Sequence, residues 1–352
     1  MRVLAALLTA LWVLPAAGVQ AEASEALVLD LVDGNVLPAY RAFETQTETL
    51  SLAVEAACAE GALATDAVKD AFADAWRAWA GTRHVVKGPV TYFDRQFRIE
   101  FWPDARNRTS RALADLRAAG GAPDIAEAPV AVQGFPALER LIHQTEGAGD
   151  CPVARQIAAN LHRMAAEILT GWTEGDRPFR TALVAPGTGA GVYFTHGESV
   201  TALMTGAVSS LEAILRLRLK RPLGEGSDRA RPKRAEAWRS GLSLDLIRAD
   251  LTGVADFHHG GAGPGEDSRG VDAALRRAGE TELADLMARA FRLTRETAAT
   301  VDGPLAEAVV DPAARAVLEE LVTQVSALKA LIEQRVGPAL GISAGFNALD
   351  GD

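Results

Sequence analysis

Apolar side chains recur every three to four residues along most of the chain, which is the spacing of amphipathic helices. Four such stripes run over Val68 to Trp79, Ile157 to Trp172, Val200 to Leu215 and Val317 to Ile332. Alternation with a period of two is nearly absent, and the candidate strand from Val90 to Phe93 is too short and isolated to anchor a sheet. The pattern predicts an all-α fold.

Clusters of glycine and proline interrupt these stripes and predict where helices end. The clusters lie at Gly120 to Pro123, Ala185 to Gly191, Arg221 to Gly224 and Gly260 to Gly265. The Gly/Pro-rich stretch after Thr173 separates two helical halves, each with room for about four or five helices, enough for a bundle. We predict an N-terminal bundle over residues 22–180 and a C-terminal bundle over residues 195–352. The echo of Ala137 to Leu141 by Ser210 to Ile214 suggests that the two bundles are related.

Residues 1–21 have the pattern of a cleavable secretory signal peptide. Arg2 precedes an apolar run from Val3 to Val13, and small residues follow up to Ala21. The run is shorter than the ~20 residues that a membrane-spanning helix needs, and no later segment is comparably hydrophobic, so we expect no transmembrane segment. Cys58 lies too far from the cleavage point to carry a lipid. The sequence predicts a soluble protein of the periplasm.

The chain contains two cysteines, Cys58 and Cys151. In an oxidising compartment such a pair readily forms a disulfide, and closing a loop of this length would stabilise the fold by about 4 kcal/mol. The alternative is two buried thiols. Export favours the disulfide.

The net charge of the chain is -10, and removal of the signal takes away one Arg and no acid, which makes it -11. An acidic surface repels phosphate backbones. No basic patch with interleaved aromatic residues stands out along the chain, so we expect no nucleic-acid partner.

Two segments carry the most unusual side-chain chemistry. Aromatic residues alternate with Arg98, Glu100 and Asp104 before a helix expected to begin near Ala105, where Asp104 would be a good N-cap. Converging aromatic and charged side chains are also typical of a recognition cleft. The second segment runs from Val130 to Glu139. Within it, Pro136 suits the first turn of a helix, and Glu139 would lie one turn in, where the helix dipole favours a carboxylate.

Three other motifs predict no site. Gly341 to Gly345 matches the Gly-x-Ser-x-Gly pattern of hydrolases, but neither a preceding strand nor a following histidine is present. Gly187 to Gly191 lacks the strand and spacing of a dinucleotide-binding loop, so we interpret it as a linker. The adjacent His258 and His259 could bind a metal. With no acidic or cysteine ligand at helical spacing, we interpret them as a solvated pair in a loop.

Several of these features together resemble the imelysin family of bacterial envelope proteins, over most of the mature chain. They are the Trp76 helix followed by Gly88-Pro89, the segment from Phe97 to Asp104, the segment from Gln133 to Glu139, and the ending from Leu340 to Asp352. The resemblance implies two related helical bundles and a link to iron acquisition. Some members of the family have been classed as metallopeptidases.

The family's proposed site is a Gly-x-His-x-x-Glu motif, whose His and Glu share one face of a helix. Gly134 and Glu139 match this motif, but Pro136 stands at the histidine position. Proline cannot ligate a metal, and one carboxylate alone is a poor site for a transition metal. The departure weakens the peptidase reading more than a binding role, because a hydrolase must hold a metal-bound water and a general base.

The resemblance leads to a non-enzymatic binding role in iron acquisition, with iron or another divalent metal as the possible cofactor and an iron-uptake component as the possible partner. Two alternatives stay open, namely a metallopeptidase that uses Glu139 and a scaffold that binds another envelope protein or a peptide. We expect Arg98, Glu100, Asp104 and Glu139 to line a cleft in the first bundle, with Glu212 at the equivalent place in the second. The oligomeric state stays open.

Overall fold

A computed structural model describes residues 24–121, 124–143, 150–188, 192–263 and 267–342. These residues form helices joined by turns and loops, and no strand occurs among them. The all-α prediction is confirmed. The predicted signal peptide, the Gly-x-Ser-x-Gly motif beyond Ile342 and the C-terminal end of the family-like segment lie outside the described residues.

Helices α1 to α8 make up the first half of the chain. Their bounds are α1 Glu25–Leu31, α2 Leu37–Ala59, α3 Asp66–Thr82, α4 Arg95–Ile99, α5 Arg108–Ala119, α6 Phe135–His143, α7 Cys151–Thr173 and α8 Phe179–Val184. Side chains that accept from free backbone N–H groups begin several of them, as Ser24 does for α1 and Thr65 for α3. The segment Pro89–Asp94, which contains the candidate strand, forms 3-10 turns interrupted by a kink at Tyr92 and Phe93.

Helices α9 to α16 make up the second half. Their bounds are α9 His196–Ala213, α10 Arg221–Leu223, α11 Ser243–His258, α12 Gly270–Arg277, α13 Thr281–Ala299, α14 Leu305–Ala308, α15 Pro312–Leu331 and α16 Gly337–Ala339. Thr195 caps α9, and Asp311 caps α15 with Pro312 in its first turn.

Three of the long helices contain a π-helical segment, at Val32–Val36, Ile214–Lys220 and Ile332–Val336. The second of these joins α9 to α10 in one run, His196–Leu223, which is long and apolar enough to cross a membrane. More than half of its most apolar window is buried inside the protein, as in a core helix. The absence of a transmembrane segment stays a prediction.

The helices pack as two bundles that share one continuous core. In the first, α2 packs against α3 and α7; in the second, α13 packs against α11 and α15, and α9 packs against α15. Helix α1 packs against α9 and α12, so the long helix from Glu25 to Ala59 reaches both bundles. The main junction is α3 against α11. There a Cβ on Gly253 would overlap the carbonyl of Gly81, so the glycine allows the two backbones to approach closely.

Aromatic packing and a disulfide hold the helices of the first bundle together. Trp76 and Phe135 stack with ring centroids 5.3 Å apart, and both are buried. Cys58 near the end of α2 and Cys151 at the start of α7 form a disulfide with a Cα–Cα distance of 5.5 Å. The predicted pairing is confirmed.

Candidate functional site

A buried network of charged side chains lies where the two bundles meet. Arg83, which follows α3, donates from Nη2 to Glu100 Oε1 at 2.5 Å and to Glu236 Oε1 at 2.8 Å, and from Nη1 to Asp250 Oδ2 at 3.1 Å. Arg218 donates from Nε to Glu236 Oε2 at 2.9 Å and lies 3.2 Å from Asp250 Oδ2. All five side chains are less than a tenth exposed. The network therefore joins residues of both halves through desolvated ion pairs.

The local chain conformation places each member of this network. Arg218 lies in the π-helical segment Ile214–Lys220, and Glu236 follows the 3-10 turn Pro232–Arg234. Trp79 Nε1 donates to Glu100 Oε2 at 2.7 Å, which fixes the carboxylate against α3. Single π-helical turns inside α-helices are frequent at functional sites. The irregular backbone here directs a guanidinium into the junction between the bundles.

Three carboxylates face two guanidinium groups, so the network has one negative charge in excess if all are ionised. Burial raises the pKa of Asp250, and Arg83 and Arg218 oppose that rise. Burial works to lower the pKa of Arg83, but Glu100 and Asp250 raise it above its ordinary value. Burial and the neighbouring Arg83 lower the pKa of Arg218. Within the described residues, Asp250 Oδ1 has no hydrogen-bond partner.

Glu139 lies on α6 and is buried, with its carboxylate turned towards the second half. Its Oε1 accepts from the Arg239 N–H at 3.1 Å, the Ser240 N–H at 3.0 Å and the Ser240 hydroxyl at 2.9 Å. Burial raises its pKa, while Ser240 and then Arg239 and Arg140 counter the rise. Glu139 thus binds the segment after Glu236 rather than projecting a bare carboxylate.

The other two motif positions have structural roles that the structure makes plain. A Cβ on Gly134 would overlap the carbonyl oxygens of Ile99 and Arg98, so this glycine lets the two segments cross in direct contact. Pro136 lines the cleft described below, and its carbonyl accepts from the Arg140 guanidinium. The histidine position of the family motif is therefore an apolar wall here.

Asp104 caps a helix, as the sequence suggests, but that helix begins later than expected. Helix α5 starts at Arg108 instead of near Ala105, and the carboxylate accepts from the N–H groups of Arg108 at 2.8 Å and Thr109 at 2.9 Å. Burial works to raise the pKa of Asp104, but these two bonds and Arg140, 3.8 Å away, lower it. The carboxylate is ionised and already bonded.

Between the bundles these residues enclose a cleft of about 430 Å³. Its charged lining consists of two acids, Asp104 and Glu139, and five bases, Arg140, Arg221, Lys233, Arg234 and Arg239. Both halves of the chain contribute. The cleft is therefore cationic within a protein whose net charge is -10.

Tryptophan rings form much of the cleft wall and stack with its cations. Trp102 lies under Arg218 at 5.7 Å and Arg221 at 5.8 Å, and Trp238 lies under Lys233 at 5.5 Å and Arg239 at 4.4 Å. Cation–π contacts hold guanidinium and ammonium groups in place without neutralising them.

The cations of the cleft also repel one another. Burial and Arg239 lower the pKa of Arg140 to about 10, and burial and Arg234 lower that of Arg221. Among the residues that the structure describes, Arg221, Lys233 and Arg234 have no carboxylate within 4.0 Å. Each of these three cations is therefore available to bind an anion.

The cleft corrects one observation of the sequence analysis, because a basic patch with interleaved aromatic residues does exist. Its members are dispersed along the chain, with Trp102 and Arg140 far in sequence from the rest, so no single segment displays the whole patch. The local signal was the stretch from Arg216 to Arg239, where nine of the 24 residues are Lys or Arg and Trp238 lies among them. The absence of a nucleic-acid partner stays a prediction.

The structure brings together only part of the predicted set. Asp104 and Glu139 line the cleft, and Glu100 lies in the buried network behind it. Arg98 lies outside the cleft lining and donates to the Ala126 carbonyl at 3.4 Å. Glu212 lies on α9, where it pairs with Arg216 and, at 3.6 Å, with Lys329. From the second half, the residues that reach the junction are instead Arg218, Glu236 and Asp250.

The interpretation of His258 and His259 as a solvated loop pair is wrong. They are 2% and 4% exposed, at the end of α11. Their acidic neighbour, Asp272, lies on α12 and is fully buried. It is separated from them by a loop and not by a helical turn, so helical spacing could not reveal it.

A family model described as Imelysin matches residues 36–332 of the chain. Among the curated proteins, none matches this chain.

Two solved structures are similar in fold. An imelysin-like protein from Psychrobacter arcticum 273-4 superposes with a TM-score of 0.78 at 22% identity, over 92% of this chain and 97% of that one. A protein described as an iron-regulated protein A precursor, from Parabacteroides distasonis ATCC 8503, superposes with a TM-score of 0.72 at 15% identity, over 90% of this chain and 97% of that one.

Proposed function

Since the chain belongs to the imelysin family, we propose that it is a non-enzymatic binding protein of the bacterial envelope that holds iron as an anionic complex in the cleft between its bundles. The observation that carries the proposal is the charge of the cleft, five basic against two acidic side chains. A ferric ion wrapped in carboxylate ligands is an anion of suitable size for about 430 Å³.

The carboxylates at the cleft are poorly disposed to bind a bare metal ion. Glu139 Oε1 already accepts three hydrogen bonds, and both oxygens of Asp104 accept from the start of α5. Arg140 and Arg239 would also repel a cation.

The arginines and tryptophans are suited to an anion. Guanidinium groups bind carboxylates with two parallel hydrogen bonds, and Arg221, which stacks near Trp102, has no competing carboxylate within 4.0 Å in the described chain. Burial and then repulsion by Arg239 lower the pKa of Arg140, and a bound anion would relieve the repulsion. The iron part of the proposal is supported by the family and by the name of the iron-regulated relative.

The metallopeptidase alternative requires a metal-bound water beside Glu139. Pro136 occupies the position from which the family histidine would act, and the Glu139 carboxylate is bonded to Ser240. Cleavage of unfolded casein by the wild type, lost in Glu139→Gln, would support this alternative. The scaffold alternative would be supported if an envelope protein bound the cleft and competed with the small anion.

Tryptophan fluorescence can test the proposal, because Trp102 and Trp238 line the cleft. Purified protein is titrated separately with ferric citrate, citrate, inorganic phosphate and ferrous ion, and each affinity is confirmed by calorimetry. We expect ferric citrate to bind and Arg221→Gln to weaken that binding at least tenfold. We expect ferrous ion alone to leave the signal from the cleft unchanged.

Arg216→Gln is the matched control, because Arg216 lies in the same helical run but is 72% exposed and outside the cleft lining. It should leave ferric citrate affinity unchanged. Absence of binding by ferric citrate, or equal loss in both variants, would overturn the proposal. If citrate binds equally well with and without iron, the cleft is an anion-binding site but is not specific for an iron complex.

A further inference from the structure

Three buried side chains with metal-ligating atoms meet at one end of the second bundle. His258 is the last residue of α11, His259 follows it, and Asp272 lies in the first turn of α12. One ligand atom from each residue lies within 4.8 Å of the other two. Within the described part of the chain, this is the one group of three or more His, Cys, Asp or Glu residues with such geometry. It shares no residue with the cleft lining.

We propose that His258, His259 and Asp272 form a binding site for a divalent transition-metal ion. Two imidazoles and one carboxylate are a donor set that binds Zn²⁺ or Fe²⁺ in proteins and leaves further coordination positions for water. Ligand atoms of one metal ion usually lie about 3 to 4 Å apart, given metal–ligand distances of about 2 Å. Binding would therefore draw the three groups together by small side-chain rotations.

Unpartnered imidazole nitrogens supply an independent observation. His258 Nε2 and His259 Nδ1 are buried and have no hydrogen-bond partner among the described residues. A buried polar atom without a partner costs about 1–3 kcal/mol. A metal ion bound through these two nitrogens would remove that cost.

An arginine holds one of the three ligands, Asp272, in position. Arg276 donates to Asp272 from Nε at 2.9 Å and from Nη2 at 3.3 Å, while Asp285, 2.8 Å from Arg276, offsets its positive charge. A carboxylate oxygen has two lone pairs, so Asp272 can bind Arg276 and a metal together. Hydrogen bonds of this kind commonly orient metal ligands.

The loop between α11 and α12 is closed by backbone contacts, and the site has a route to solvent. The Arg269 N–H donates to the His259 carbonyl at 3.2 Å. A Cβ on Gly260 would lie 2.8 Å from the Gly270 nitrogen, so the two ends of the loop are in direct contact. His259 also lines a cavity of about 500 Å³ between α11 and α13. An ion that enters this cavity would meet His259, one of the three ligands.

The test uses purified protein without a histidine tag, stripped with a chelator and titrated with Co²⁺ and then with Zn²⁺. We expect one Co²⁺ per chain, with visible absorption bands that Zn²⁺ abolishes by displacement. His259→Gln and Asp272→Asn should each weaken binding at least tenfold. Zn²⁺ should raise the melting temperature of the wild type and not that of either variant.

His162→Gln is the control, because His162 is a partly exposed histidine of the first bundle that lies 4.0 Å from Glu44. It should bind Co²⁺ as the wild type does. The proposal is overturned if the wild type binds no Co²⁺, or if its affinity survives in His259→Gln and Asp272→Asn. If Asp272→Asn fails to fold, because Arg276 loses its partner, His259→Gln alone decides between these results. Ferric citrate binding is measured in parallel and should be unaffected, so this site and the cleft are tested separately.

Discussion

Arg83 Nη1 and Asp250 Oδ2 are 3.1 Å apart, and this buried ion pair crosses the junction between the two bundles. Arg83 also binds Glu100 from its own half and Glu236 from the other. One guanidinium therefore neutralises carboxylates from both halves. This side chain therefore links the two halves beside the packed helices α3 and α11.

Replacing Arg83 by Met should lower the free energy of unfolding by about 3–5 kcal/mol, because it leaves buried carboxylates without their partner. The matched control is Arg77→Met. Arg77 also links α3 to α11, through Asp245 at 2.8 Å, but its side chain is 40% exposed. An exposed pair of this kind contributes less than about 1 kcal/mol. Urea unfolding followed by circular dichroism measures both, and equal losses would contradict the role assigned to burial.

Gly134→Ala should destabilise the protein by about 2–3 kcal/mol, since its Cβ would overlap the carbonyls of Arg98 and Ile99 and force the backbones apart. Gly81→Ala is the control, because a Cβ at that helical position meets nothing within 4 Å. It should be neutral or stabilising. Thermal unfolding compares the two, and a neutral Gly134→Ala would show that the contact is not tight in solution.

The fold could be predicted from sequence because it follows from local patterns. Apolar spacing in segments such as Val68 to Trp79 repeats over several turns, and burial of that stripe is what makes the helix stable. The disulfide between Cys58 and Cys151 is also predictable, because two cysteines allow a single pairing and the predicted export favours its oxidation.

The site could be predicted only in part, because its chemistry comes from residues far apart in sequence. Arg83 lies 167 positions from Asp250, and no local pattern relates them. The family-like segments led to Glu139 and Asp104, which do line the cleft. Glu212 shares with Glu139 only the leucine that precedes it, a pattern that amphipathic helices produce without shared function.

Opening the disulfide should lower the free energy of unfolding by about 4 kcal/mol, because the 93-residue separation between Cys58 and Cys151 closes a long loop in the unfolded chain. The measurement is urea unfolding with and without dithiothreitol. The double variant Cys58→Ser, Cys151→Ser should have the same unfolding free energy as the reduced wild type, and dithiothreitol should not change it. A reductant effect that persists in the double variant would show that the loss does not come from this bond.

Stability should also fall with acid through His84, which is buried at the junction with Nε2 2.8 Å from Asn35 Oδ1. Burial lowers its pKa from the ordinary 6.5 to about 4, against a smaller opposing effect of the Gly81 carbonyl. Because the unfolded chain takes up the proton first, this stability is fully present above pH 6.5 and is lost as the pH falls towards 4. The loss amounts to about 3 kcal/mol. The unfolding free energy should fall between pH 7 and pH 4 by about 3 kcal/mol more in the wild type than in His84→Gln, since every other titrating group is common to both. An equal fall in both proteins would mean that His84 takes up a proton as readily in the folded protein as in the unfolded chain.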